Sequence, residues 1–415
     1  MEQNVTSYLE GALGGYLIVN AQSARIGTVS RTSSGRGSKG RRLLDRYAGI
    51  PVVAALGLLR KKRSLPSNPE RIALLNTAAI GDTILMSAVI ADLRDRYSQA
   101  ELILLAGPSN HEAARLIPEL DLVVRLDIFN PINAIRQTRQ QDPVVLLDFG
   151  PWPRLNSIIA AFSGARFIAG FKTRGQHRHF AYDVAVDHLS SQHELENFRQ
   201  LVRAADAEPR HMPSLRWGSR AYVQALRGHR GYVILHMWPG GTGSSHKEWP
   251  QHRWQALAEE LAHDGYRIAL TGSRDQFELN EELIARVNPF ARASMVNIAG
   301  CNFFELANEL HRADLVVSVN TGIMHMADAL SASLVALHGP TNARRWGPVR
   351  ATSISLESPL PGAGYLDLGF EFPRQVPDCM SALSFEAVLA ACRTALRHKR
   401  PSRRMNETMR HSASQ

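Results

Sequence analysis

Four short stretches of the chain combine residue types that can do chemistry on a phosphorylated substrate. Asp82 closes the turn Ala78-Ala79-Ile80-Gly81-Asp82 directly after the apolar run Arg71–Asn76. A carboxylate delivered there can accept a proton from an attacking hydroxyl, or it can cap the helix that follows; the residues alone leave both readings open. Pro239-Gly240-Gly241-Thr242 is followed by Ser244, Ser245 and Lys247, so flexible backbone, hydroxyls and one point charge fall within nine residues. That composition suits a phosphate cradle, although a lysine in a loop is also an ordinary solvated residue. Asn320-Thr321-Gly322-Ile323-Met324-His325 joins a strand-like run to a helix start, where exposed backbone N–H groups and the helix dipole favour an anion. His325, one turn in, either points at the same place or packs in the core. Asp275, after Leu270-Thr271-Gly272-Ser273-Arg274, can meet a ribose or stand as an exposed loop acid.

The elements that must position these residues alternate between strand and helix. Strand patterns fall at Arg71–Asn76, Glu101–Leu105, Leu122–Arg125, Val144–Asp148 and Phe167–Ala169, with a helix expected from Thr83 to Tyr97. A second series begins at Tyr232–Met237 and continues through Arg267–Thr271, Ser294–Ile298, Leu315–Val319 and Leu334–Leu337, with helices between. Apolar strands alternating with helices predict parallel sheets covered on both faces, and such sheets bind ligands outside the carboxyl ends of their strands. The fold class expected is therefore α/β with two facing Rossmann-like domains. Their spans are 66–218 and 219–382, with a hinge near Arg216–Arg230 and the site in the cleft. A final helix, 383–400, is expected to pack back on the first domain.

Length and composition agree with two domains. The chain has 415 residues, 44% of them apolar, which suffices for two cores. Cys301, Cys379 and Cys392 show no metal or disulfide spacing and suggest a reducing compartment. The net charge of +10 sits at the ends. Eleven bases and one acid, Asp45, lie between Arg25 and Arg63, and the segment 401–415 is a basic tail expected to be disordered, as are the first 40 residues. No cleavable signal peptide is expected. Within the extension 1–65, the apolar stretch Tyr47–Leu59 is shorter than the roughly 20 residues of a spanning helix and contains Pro51. Flanked by Arg60-Lys61-Lys62-Arg63, it reads either as an interfacial anchor on anionic lipid or as a helix docked on the first domain.

Several chemistries are excluded. Gly241-x-Gly243-x-x-His246 lacks the third glycine of a dinucleotide fingerprint, and the same loop lacks the spacing of a P-loop. No Asp-x-Asp occurs, no zinc spacing is present among the histidines, and the tryptophans suit cores better than base stacking. Nucleic acid is not an expected partner, and neither a metal nor a cofactor is expected.

Taken in order, Gly81-Asp82, Pro239-Gly240-Gly241 with Lys247-Glu248-Trp249-Pro250, Leu270-Thr271-Gly272, Ile298-Ala299-Gly300, Asn320-Thr321-Gly322-x-x-His325 and Gly339-Pro340-Thr341 resemble glycosyltransferase family 9, whose type members are ADP-heptose:lipopolysaccharide heptosyltransferases. The resemblance spans about residues 68–395. It implies the GT-B fold, an acceptor-binding first domain, a nucleotide-sugar-binding second domain, and metal-free inversion at the anomeric carbon. It implies Asp82 as catalytic base, with Gly81 leaving room for the sugar. For the nucleotide sugar it implies Gly240, Gly241, Thr242, Lys247, Asn320, Thr321, Gly322 and His325. Family members commonly carry Asp where this chain has Asn320, a change that removes a charge and keeps hydrogen-bonding capacity. Two expectations follow from different classes: a transferase acting on a lipid-linked glycan at the cytoplasmic membrane face, with heptose from ADP-heptose or with a different nucleotide sugar, or a nucleotide-sugar- or glycan-binding protein that has lost turnover.

Overall fold

The structure is a computed structural model that describes Asp45, Tyr47 and residues 49–59, 61–77, 79–218, 229–241, 243–367 and 372–397. The expectations for residues 1–40, for the tail 401–415, for Thr242 and for most of the hinge fall outside the described residues.

Two six-stranded parallel sheets carry the chain. The first contains β1 (Arg71–Asn76), β2 (Glu101–Ala106), β3 (Leu122–Arg125), β4 (Val145–Asp148), β5 (Phe167–Lys172) and β6 (Val184–Asp187), in the order β3-β2-β1-β4-β5-β6. The second contains β7 (Gly231–His236), β8 (Tyr266–Thr271), β9 (Met295–Asn297), β10 (Leu315–Val319), β11 (Leu334–His338) and β12 (Ile354–Glu357), in the order β12-β11-β10-β7-β8-β9. Both sheets therefore have the doubly wound order in which the third strand of the lobe lies at one edge and its sixth at the other. The order reverses between β1 and β4 in one lobe and between β7 and β10 in the other, and a ligand crevice opens where it does.

The central strands are buried on both faces, which is why Ile72-Ala73-Leu74-Leu75 and Leu315-Val316-Val317 read as unbroken apolar runs. The edge strands β6 and β12 show mostly exposed or half-buried residues, and no strand was expected at either. Their sparse apolar content gives little period-two signal.

Two expectations about helices are corrected. The first helix runs from Ile80 to Arg96, so Gly81 and Asp82 lie in its first turn and not in the preceding loop. The last helix, Phe385–Arg397, does not lie on the first sheet: it packs against β10, β11, β12 and the helix Gln251–His263. There Val388 and Cys392 enter the core of the second lobe, and Arg393 pairs with Asp264 and Glu260, each at 2.9 Å. That sheet face would otherwise leave Val317, Val335 and Leu337 uncovered, so burial places the helix there.

The helix Gly49–Leu59 is docked on the first lobe. Val53 is fully buried in one cluster with Ala73, Leu75 and Tyr182. Among the described residues no helix is long and apolar enough to cross a membrane.

Candidate active site

The turn after β1 is held from several sides. Asn110 donates from Nδ2 to the Asn76 carbonyl at 2.9 Å and to Thr83 Oγ1 at 2.7 Å, while Thr77 Oγ1 donates to Asn156 Oδ1 at 2.9 Å. At the helix start Ala79 takes φ 60° and ψ 118°, a conformation costing a non-glycine residue on the order of 1–3 kcal/mol. Such strain persists only where the surroundings impose it, and it delivers Ile80, Gly81 and Asp82 toward the second lobe. Ala79 occupies the cap position without a side-chain bond, so Asp82 is not the cap. Its side chain is buried, with 5% of the residue exposed.

The facing turn follows β10. Thr321 is the cap of the helix Gly322–Ala329, its Oγ1 accepting from the Ile323 N–H at 3.2 Å. That helix packs on Ile80–Arg96 across the lobe boundary. The fit depends on two glycines. A Cβ on Gly322 would lie 2.7 Å from Ile80 Cβ, and one on Gly81 would lie 2.7 Å from His325 Cδ2. The space expected beside Gly81 for a sugar is thus filled by the imidazole, and Gly322 serves the approach of Ile80.

His325 is buried and neutral. Burial, with His193 and His338 nearby, holds its pKa down at about 3, so it can offer a neutral hydrogen bond and no charge. Asn320 donates from Nδ2 to the Trp346 carbonyl at 2.8 Å and stands 3.4 Å from His338 Nδ1. The amide orientation follows from the partner, since a carbonyl can only accept. His338 and His236, at the ends of β11 and β7, are both pushed down to about 4 by burial, and His236 Nδ1 shares a 2.7 Å hydrogen bond with Thr271 Oγ1.

The glycine-rich loop leaves β7, next to β10. A Cβ on Gly240 or Gly241 would meet nothing within 4 Å, and only Gly241, at φ +86°, needs to be glycine for its backbone. Lys247, in the short turn Ser244–Lys247, donates from Nζ to the Gly240 carbonyl at 3.0 Å and closes the loop on itself. Ser244 and Ser245 lie in that same turn. Asp275 is exposed in the turn Arg274–Gln276 beyond β8, on the far side of β7 from Asn320. Neighbouring strands are about 4.8 Å apart, so the carboxyl ends of β10, β7 and β8 present these three loops within about 10 Å.

Contacts that no short motif announced hold the lobes together. Glu194, on the first lobe, pairs with Arg345 on the second at 2.6 Å, both fully or nearly fully buried. Burial raises the Glu194 pKa, but His188 and Arg345 outweigh it and hold the carboxyl well below its usual range. His193 Nε2 meets the Gly347 carbonyl at 2.9 Å. Glu194 and Arg345 are 151 positions apart, so nothing in their local sequence pairs them. Within the first lobe, Asp148, at the end of β4, is paired with Arg178 and accepts from Tyr182 Oη at 2.7 Å.

Two Rossmann-type lobes meeting over a buried carboxylate and a helix start suited to an anion define a GT-B protein. The family model "Glycosyltransferase family 9 (heptosyltransferase)" matches residues 155–362, half of the chain. The chain belongs to that family. It is 35% identical over 135 residues to lipooligosaccharide heptosyltransferase 2 of Haemophilus influenzae, a match covering 32% of this chain and 38% of the relative. It is 24% identical over 302 residues to lipopolysaccharide heptosyltransferase 2 of Escherichia coli K12, covering 66% of this chain and 83% of the relative. The solved structure of E. coli ADP-heptose lps heptosyltransferase II superposes with a TM-score of 0.64 at 20% identity, covering 79% of this chain and 98% of that one, and shares its fold.

Proposed function

We propose that this protein is an inverting heptosyltransferase that moves heptose from ADP-heptose onto a lipopolysaccharide-core acceptor. The names of its relatives support donor and acceptor class. The observation that carries the reading is the contact of the Gly81-Asp82 turn with the helix start Thr321–His325, which brings a buried carboxylate to the mouth of an anion-favouring site. In the reaction the acceptor hydroxyl oxygen bonds to the anomeric carbon as the bond to the diphosphate breaks. The hydroxyl proton passes to Asp82, and ADP departs with the bonding electrons. The negative charge developing on the diphosphate is met by the N–H groups at Gly322 and Ile323, by the open backbone at Gly240 and Gly241, and by Lys247, which leaves its loop carbonyl for the phosphate. No metal is required in this scheme. The donor lies on the second lobe and the acceptor on the first, and the enzyme works at the cytoplasmic membrane face, supported by the basic, apolar segment Tyr47–Arg63.

Transfer from ADP-heptose to a heptose-deficient lipid A–core acceptor tests this. Asp82→Asn keeps size and burial while removing the base, and is expected to lower kcat by about 100-fold to 10,000-fold. A variant within tenfold of wild type would place the base elsewhere. Wild-type protein that is stabilised by the donor yet transfers no sugar would instead be a binding protein.

A further inference from the structure

A second cationic feature lies two strands along the first sheet from β1, at the carboxyl end of β5. There a half-open cavity of about 300 Å³ is walled by Lys172, Arg174, His177 and His179. The one acid in its wall, Asp187, pairs with Lys172 at 3.7 Å with both side chains more than half exposed, too weak a pair to cancel the local positive charge. Burial, then the charges of Lys172, His177 and Lys62, lower the pKa of His179, so bases converge on this point from two separate segments. The buried Nδ1 of His179 has no hydrogen-bond partner among the described residues. None of these groups takes part in the transfer described above.

The cavity is held in shape from below. Its loop turns through Gly175 at φ +73° and His177 at φ +59°. Arg154, buried beneath, donates to the Gln176 carbonyl at 2.9 Å and to the Gly175 carbonyl at 3.2 Å, and pairs with Asp45 at 2.9 Å. The same body includes the helix Gly49–Leu59, whose Gly57 abuts Phe180: a Cβ there would lie 2.7 Å from Phe180 Cβ. Beside the bases, large apolar side chains remain exposed, namely Leu58 at 90%, next to Gly57, Phe180 at 43% and Leu189 at 42%. Phe180 packs on the His179 ring at 4.3 Å between centroids. A soluble anion has no use for such a rim, whereas a bilayer surface offers phosphate and hydrocarbon together.

We propose that this cavity binds the phosphate of an anionic membrane lipid, while Leu58 and Phe180 enter the headgroup boundary beside it. The inference rests on the membrane-face reading and names the surface by which the first lobe is held there.

Flotation of the full chain with vesicles of phosphatidylcholine alone, or of phosphatidylcholine with phosphatidylglycerol, tests it. Wild type is expected to float only with the anionic vesicles. The exposed pair Lys172→Glu with Arg174→Glu is expected to reduce binding by about tenfold or more at low salt, because each base near an anionic surface contributes a factor of several. The melting temperature and the transfer rate onto a deacylated acceptor should stay at wild-type values. Wild type that ignores both vesicles would overturn the membrane reading and this site together. Unchanged flotation of the double variant would overturn the site alone. Unchanged flotation with a raised KM for the deacylated acceptor would assign the cavity to an acceptor phosphate, and competition by millimolar inorganic phosphate as strong as by vesicles would make it a soluble-anion site; either result replaces the lipid.

Discussion

Gly81 and His325 stand on helices of opposite lobes, and the imidazole of one occupies the space that a side chain on the other would need. The two turns assigned to acceptor and donor are thereby in van der Waals contact through the smallest residue available. A neutral histidine at that point adds no charge to the departing diphosphate. What it adds is a fixed wall between the lobes, 6% exposed and packed against Gly81.

Replacing Gly81 with Ala should therefore act on His325. A methyl at 2.7 Å from Cδ2 must displace the ring, at a cost of about 1–3 kcal/mol, with transfer falling at least about tenfold. Measured as a double-mutant cycle, Gly81→Ala combined with His325→Ala should recover part of the lost stability. Strict additivity would mean the two residues do not sense each other.

Gly240 allows a cleaner separation of folding from binding. Its Cβ would meet nothing, so Gly240→Ala should melt within about 1 °C of wild type; under the proposed donor site, where this loop meets the diphosphate, it should also raise the KM for ADP-heptose. Gly241→Ala should cost about 1 kcal/mol of stability as well, from its φ of +86°. A normal KM for Gly240→Ala would remove that loop from the donor site.

Asn320→Asp restores the residue common in the family and should nevertheless destabilise this chain. The Nδ2 bond to the Trp346 carbonyl would be replaced by two acceptors facing each other, a loss of about 1–3 kcal/mol readable in chemical denaturation. An Asp variant as stable as wild type would show that the amide bond to Trp346 carries no weight.

Stability should fall on mild acidification. His236 and His338 titrate near 4, and His325 near 3, in the folded chain, against an ordinary value near 6.5. A folded pKa below the unfolded one means that the unfolded chain takes up protons first. Their contribution is complete above about pH 6.5 and is lost as pH drops toward 4, about 3 kcal/mol for each histidine pushed down to about 4. Melting temperatures followed from pH 7 to pH 4 should decline, and His236→Gln should flatten the slope. A flat profile for wild type would mean these imidazoles are not buried neutral.

Much of the fold was legible because the central strands are apolar on both faces and end in glycine-rich turns. Asp82 and the Asn320–His325 turn could be picked out as candidates because strand, turn and helix start are all local in sequence; the choice of base over helix cap for Asp82 came from the family resemblance. The helix start was misplaced to Thr83 because Gly81 looks like a turn residue; its reason for being glycine lies 244 positions away, in His325. The edge strands Val184–Asp187 and Ile354–Glu357 carry too little apolar alternation to declare themselves.

The sequence by itself determined the repeating strand and helix units, the glycine-rich loops and the placing of charge at the ends of the chain, because each of these depends on neighbours within a few residues. Tertiary structure alone decided that the last helix covers the second sheet, that Glu194 is buried against Arg345, that Asn320 is spent on the Trp346 carbonyl and that the bases around His179 converge on one cavity. Those are choices between surfaces far apart along the chain, made by which burial and which charge pairing leave the least polar and apolar area unsatisfied.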